Sequence, residues 1–278
     1  TMTQPLLDAI SRAETADLAL LRTCARSQDS KVAAAFRAKL RSARLKARLR
    51  LLAAAEGTSA PRGTWIDVAV SERLSDAAPS IRQAACDAIQ ARRYCHNPAR
   101  LVALLLRDSR WIVRSCAADA MQNLADERFT KALVKSAEVD RSYLVRRSAA
   151  AALSPRMTPA IAKTVARILN NEREPTTRLS LALLMVHVGE TDLLRAELKV
   201  AKWFPEERYF AVLNALRYEL ATFREVAARI DVEWFRSAFE RAEAANGGAD
   251  PVRSAKAKIE SLRNAQERRI VSRESLLR

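Results

Sequence analysis

The sequence predicts an all-α protein made of repeated helix pairs, and three observations carry that prediction. Strand formers are scattered singly and never alternate over a run, as a half-buried strand requires. Apolar residues instead recur at spacings of three and four, as on one face of a helix. The third observation is a recurrence. Asp76, Asp108 and Asp140 stand 32 residues apart, Glu172 continues the column, and Arg82, Arg114, Arg146 and Arg178 keep the same step. Chance can supply one such pair; two charged columns in register mark a repeated structural unit.

Three segments align without gaps: Asp76-AAPSIRQAACDAI, Asp108-SRWIVRSCAADAM and Asp140-RSYLVRRSAAAAL. Each period splits into two amphipathic helices. In the central unit the first runs from Pro98 to Arg107 with Leu101, Val102, Leu104, Leu105 and Leu106. The second runs from about Trp111 to Leu124, with Val113, Cys116, Ala117, Ala120 and Leu124 at helical spacing. Ile81, Ala84, Ala85 and Ala88 repeat the plan before it, and Val145, Ser148, Ala149 and Ala152 after it. Small side chains there let adjacent helices approach closely, so that stacked units share one core. Pro79, Pro98, Pro159, Pro175 and Pro205 suit first helical turns, where a missing N–H costs nothing.

The Asp-x5-Arg signature, with an apolar residue before the Arg and a helix rich in small residues after it, resembles the HEAT repeat family. The nearest flavour is the short bacterial HEAT-like unit, also found in phycobilin lyase-type proteins. The resemblance covers about Asp76 to Gly189 and weakens before residue 75 and after residue 200. It implies an α-solenoid of stacked antiparallel helix pairs with a 32-residue period. In that family the repeated charges hold neighbouring units together, so the resemblance implies a structural ladder of Asp76, Asp108, Asp140, Arg82, Arg114 and Arg146. The alternative is that these arginines point into a groove and bind a ligand.

On this plan residues 1–248 form the solenoid. Capping helices occupy 1–60, repeats 63–218 (63–93, 97–124, 127–153, 159–188 and 191–218), and a terminal helix pair 221–245. Asn246-Gly247-Gly248 is a clear breaker, and 249–278 follows as a basic helical tail.

Forty-eight Lys and Arg against 32 Asp and Glu leave a formal charge of +16. Such a surplus favours acidic partners, whether nucleic acid, anionic lipid or an acidic protein. Met2 to Leu20 is interrupted by Asp8, Arg12, Glu14 and Asp17, unlike a signal peptide. The longest apolar runs, Leu101–Leu106 and Leu181–Val188, are far shorter than the roughly 20 residues a membrane span needs. Cys24, Cys86, Cys95 and Cys116 form no CxxC pair. Reduced thiols in a cytoplasmic protein without a membrane segment are the expectation.

Catalytic constellations are scarce. The histidines are His96, in a loop, and His187, inside the apolar stretch Leu181-ALLMVHV and expected to pack. A closed zinc site needs four compactly spaced ligands, which Cys86, Cys95 and His96 do not supply. No glycine-rich phosphate loop, nucleophile elbow or HExxH pattern is present. No cofactor is expected. HEAT-like arrays also occur in bacterial alkylpurine DNA glycosylases, but no Trp–Asp–Arg set aligns here, since Trp111 is followed one turn later by Ser115.

Candidate partner-binding residues come from three places. Lys31 to Arg50 holds eight cations and no acid; read as one helix, it places Arg37, Arg41, Arg44 and Arg48 on a stripe. Gln83, Asp87, Gln90, Arg93, Ser115, Asp119, Gln122 and Arg147 are candidates for a groove on the second helices. Trp111 and Tyr143 share one register, where they either plug junctions between units, the favoured reading, or form a contact ridge. The mixed groove favours a non-enzymatic scaffold that binds an acidic protein. The alternative is a nucleic-acid-binding protein using 31–50 and the tail.

Overall fold

The computed structural model describes residues 2–199, and every regular element among them is helical. The part of the predicted repeat 191–218 beyond Lys199, the pair at 221–245, the breaker at 246–248 and the basic tail at 249–278 lie outside the described residues. Two compact units are recognised, with their boundary between Ser136 and Ala137.

The first unit begins with α1 (Thr3–Ser11), α2 (Leu18–Arg26), α3 (Ser30–Ser42) and α4 (Leu45–Glu56). Short polar residues start α2 and α3. Asp17 accepts the Ala19 N–H at 2.6 Å, and Asp29 Oδ1 accepts the Lys31 N–H at 2.8 Å, satisfying donors that a helix start leaves open. Asp29 Oδ2 also accepts from Thr3 Oγ1 at 2.7 Å, which ties the start of α1 to the start of α3.

Next come α5 (Trp65–Glu72), a 3-10 turn at Arg73–Ser75, α6 (Pro79–Arg92), α7 (Pro98–Arg107), α8 (Trp111–Met121) and α9 (Glu127–Val139), which reaches the unit boundary. Thr64 and Asp67 form a capping box at the start of α5. Pro79 and Pro98 occupy first turns, and the Asn97 side chain accepts the Arg100 N–H at 3.1 Å. Helix α6 ends at Arg93, whose φ of 50° is left-handed, a conformation that turns the chain sharply out of a helix.

The core of this unit is aliphatic. Helix α4 packs on α6, and α6 on α8, and these helices bury Ala54, Ala55, Ala84, Ala85, Ala88, Ala117, Ala118 and Ala120. These alanines allow backbones to approach; the stabilising area comes from Leu51, Leu52, Ile66, Leu74, Ile81, Ile89, Leu101 and Leu105, each at most 1% exposed. Complete burial of each such side chain contributes about 1.5–3 kcal/mol.

The second unit contains α10 (Tyr143–Ala152), a 3-10 turn at Ser154–Arg156, α11 (Pro159–Asn171), α12 (Pro175–Val186) and α13 (Thr191–Lys199). Thr158 and Glu174 cap α11 and α12 ahead of their prolines. Helix α12 packs on α10, α11 and α13, burying Val145, Val165, Leu181, Leu184 and Leu194. Short connections make chain neighbours such as α11 and α12 antiparallel pairs. Each unit by itself is built from packed helix pairs, as in a HEAT-type α-solenoid.

Candidate functional site: the arginine ladder and the basic face

Each second helix carries an arginine at its fourth position: Arg48 in α4, Arg82 in α6, Arg114 in α8, Arg146 in α10 and Arg178 in α12. The acids precede those helices and serve their own loops first. Ala78 N–H donates to Asp76 Oδ1 at 3.0 Å, Arg110 N–H to Asp108 at 2.9 Å and Ser142 N–H to Asp140 at 2.9 Å. A short acid two residues ahead of an N–H makes this turn locally, which explains why the column is Asp. Glu172 does the same with its longer side chain, accepting from Arg173 and Glu174 N–H.

The guanidinium forks close the stack. Arg82 Nε and Nη2 donate to the two Asp108 oxygens at 2.7 and 3.0 Å, 26 residues on, while Nη1 donates to the Asp76 carbonyl at 2.8 Å. Arg146 repeats this with Glu172 at 2.6 and 2.9 Å and with the Asp140 carbonyl at 2.9 Å. Arg114 is buried and donates Nη1 to the Asp108 carbonyl at 2.9 Å. Arg178 donates Nη1 to the Glu172 carbonyl and bonds Glu197, so its acid comes from a first helix. One planar fork thus satisfies a loop carbonyl behind it and a carboxylate ahead of it, a geometry Lys cannot reproduce.

These pairs shift the acids as expected of tight bonding. Burial pushes the Glu172 carboxyl up, but the Arg146 fork and the Glu174 and Arg173 N–H groups outweigh it and hold the group below its usual range. Arg146 and Arg178 are raised, chiefly by their hydrogen bonds to Glu172 and Glu197.

Two connections escaped the sequence reading. Arg48 bonds Asp76, adding a rung before residue 75, where the repeat signature is weak. Its spacing to Asp76 is 28 residues instead of 26, so an ungapped 32-residue comparison passes over it. Arg92 and Asp67 form a pair whose side chains are 3% and 2% exposed. Asp67 also accepts from Gly63 and Thr64 N–H at 2.7 and 3.2 Å. The capping-box spacing Thr64-x-x-Asp67 is the sequence signal that could have found half of it.

The basic segment differs from the single striped helix expected. Extended backbone at Ala43 and Arg44 divides it into α3 and α4, so Arg37, Arg41, Arg44 and Arg48 do not share one helix face. Arg37 donates to Glu72 at 2.9 Å, Lys39 to the Ser11 carbonyl at 2.8 Å and Arg50 to the Ala13 carbonyl at 2.9 Å. Arg41 and Arg44 are exposed, and their side chains make no hydrogen bond or ion pair among the described residues. Arg93 and Arg147 are exposed as well.

The aromatic column also corrects an expectation. Trp111 is 44% and Tyr143 43% exposed, so neither plugs a junction. Each stands at the first position of its helix, where the side chain points back past the helix start instead of into the core. Among the groove candidates Ser115 is buried and drops out. Trp65 is half-buried, donates Nε1 to the Ser27 carbonyl at 2.9 Å and meets Phe36 edge to face at 5.5 Å. His187 Nε2 lies 2.9 Å from Ser154 Oγ, a stitch between α12 and the turn after α10.

Burial pushes Cys24 and Cys95 up to about 11 and Cys86 well above its usual value. Among the described residues no three His, Cys, Asp or Glu side chains form a metal-binding group, and no helix is long and apolar enough to cross a membrane.

No curated protein matches the chain. A family model does: residues 66–154 match HEAT repeats, a span that runs from the first turn of α5 through α10 and holds Arg82, Arg114 and Arg146. The match concerns the repeat itself and not the narrower phycobilin lyase-type flavour. Helix pairs and in-register arginines together mark residues 66–154 as an array of HEAT-like repeats.

Proposed function

We propose that the chain is a non-catalytic scaffold that binds a protein partner through an acidic surface on that partner. HEAT repeats are typically scaffolds of protein interaction, and that coarse role comes with the repeat. The charge bookkeeping inside the fold carries the finer reading. Each described rung sets one guanidinium against one carboxylate, so the ladder consumes both signs equally and the surplus of +16 lies outside it. A surface positive potential of this kind steers acidic partners. Trp111, 44% exposed, supplies the large aromatic anchor that protein interfaces favour.

A nucleic-acid track along 31–50 has less support. Of the eight cations there, Arg37, Lys39, Arg48 and Arg50 are already engaged with acceptors of their own chain. Affinity capture tests the choice, using the wild-type chain and an Arg41→Glu/Arg44→Glu variant that keeps its helical circular dichroism. The wild type should recover a partner that the variant loses, and excess duplex DNA should not displace it. Displacement by DNA, or equal recovery by the variant, overturns the reading.

A further inference from the structure

The junction of α3, α4 and α5 holds more guanidinium groups than the carboxylates beside them neutralise. Arg37 donates to one Glu72 oxygen at 2.9 Å, and Arg73 reaches the other at 3.5 Å. Asp76 takes the Arg48 bond and lies 3.8 Å from Arg73. Arg41 is close enough to destabilise the charge on Arg73, and burial together with Arg73 depresses Arg48. Arg37, Arg41, Arg48 and Arg73 therefore face Glu72 and Asp76, an excess of two positive charges.

The hydrogen bonding is incomplete in the same place. Arg37 Nε and Arg73 Nε are buried without an acceptor. A stranded guanidinium N–H costs about 1–3 kcal/mol, and the remedy is one more acceptor. Arg37 is 36% exposed, and the Arg41 side chain is exposed with no partner among the described residues.

We propose that Arg37, Arg41 and Arg73 form a binding site for a phosphate dianion, carried by the partner as a phosphorylated side chain. A phosphomonoester brings about −1.5 to −2 charges at pH 7 and three acceptor oxygens, which matches the excess of two charges and the two stranded N–H groups. A single carboxylate brings half that charge, and a phosphodiester also brings one. Arginine clusters recognise phosphorylated motifs through this chemistry. The inference deepens the scaffold reading by naming what the partner presents, but its test uses the free chain, so the two can fail separately.

The probe is inorganic phosphate, followed by O-phosphoserine, titrated at constant ionic strength with nitrogen–proton spectra recorded on the arginine Nε–H groups. Both probes should saturate and shift the Arg37 and Arg73 signals, and acetate should not. Arg41→Gln, an exposed change that leaves the fold intact, should weaken phosphate binding about tenfold, since it removes a charge-assisted bond. Arg107→Gln, the same charge change on α7, should leave it unaltered. Equal weakening by Arg107→Gln, an equal response to acetate, or no saturation overturns the site. Binding of inorganic phosphate without O-phosphoserine overturns the phosphorylated partner, and so does a dT oligomer that binds more tightly and ignores Arg41→Gln.

Discussion

Removing the Asp108 carboxylate tests the ladder where it is best defined. Asp108 is 4% exposed at its side chain and accepts both prongs of Arg82, itself 13% exposed. Asp108→Ala strands that guanidinium. Breaking a buried pair from one side costs about 3–5 kcal/mol, and the lower end applies because Arg82 keeps the Asp76 and Ala77 carbonyls at 2.8 and 3.0 Å. The lost Arg110 N–H acceptor adds about 1 kcal/mol. Arg82→Met strands the acid instead and should cost about 3 kcal/mol. The double variant leaves no unpaired charge, so its loss should fall about 3 kcal/mol short of the sum of the singles. Thermal melts followed by circular dichroism read this directly, because about 1 kcal/mol moves Tm by about 2–4 °C at this size. A coupling below about 0.5 kcal/mol would show that the rung holds nothing together.

Three further outcomes follow from the same geometry. Glu172 is held below its usual range in the fold, so its contribution is complete above the unfolded pKa of about 4.3 and is lost as pH falls through the lower folded value. Unfolding of the wild type should therefore steepen with acid below about pH 5, and Glu172→Gln should flatten that dependence; an unchanged slope refutes the assignment. Leu105→Ala, at a site 0% exposed, should cost about 2–5 kcal/mol in urea melts, whereas Leu106→Ala, at 36% exposure, should cost under about 1 kcal/mol. Cys24 and Cys95, with pKa values of about 11, should expose about one thiolate in a thousand at pH 8, so both should resist alkylation until the chain is unfolded. Rapid native labelling at either position contradicts the burial.

Local pattern carried much of the fold to the surface of the sequence. The 32-residue step, the prolines at first turns and the alanine-rich second helices are properties of single units, and each unit repeats the same solution. Even the Asp column has a local cause, because each Asp closes its own turn on an N–H two residues later. The expectation for Lys31 to Arg50 went astray where that locality ends. Nothing in its charge pattern marks the break at Ala43 and Arg44, since both residues continue an amphipathic run.

What the amino-acid order determined by itself is therefore the unit: two helices, a turn closed by an acid, and an arginine one turn into the second helix. Only the tertiary structure decided which acid each arginine meets. Arg82 passes over the Asp six residues behind it, using only its carbonyl, and takes the carboxylate 26 residues ahead. Arg48 reaches Asp76 across an irregular connection, Arg178 reaches a first helix at Glu197, and Arg92 finds Asp67 in the interior. The physical reason is distance. A turn is closed by neighbours along the chain, whereas a rung forms between helices whose separation is set by the side chains packed between them.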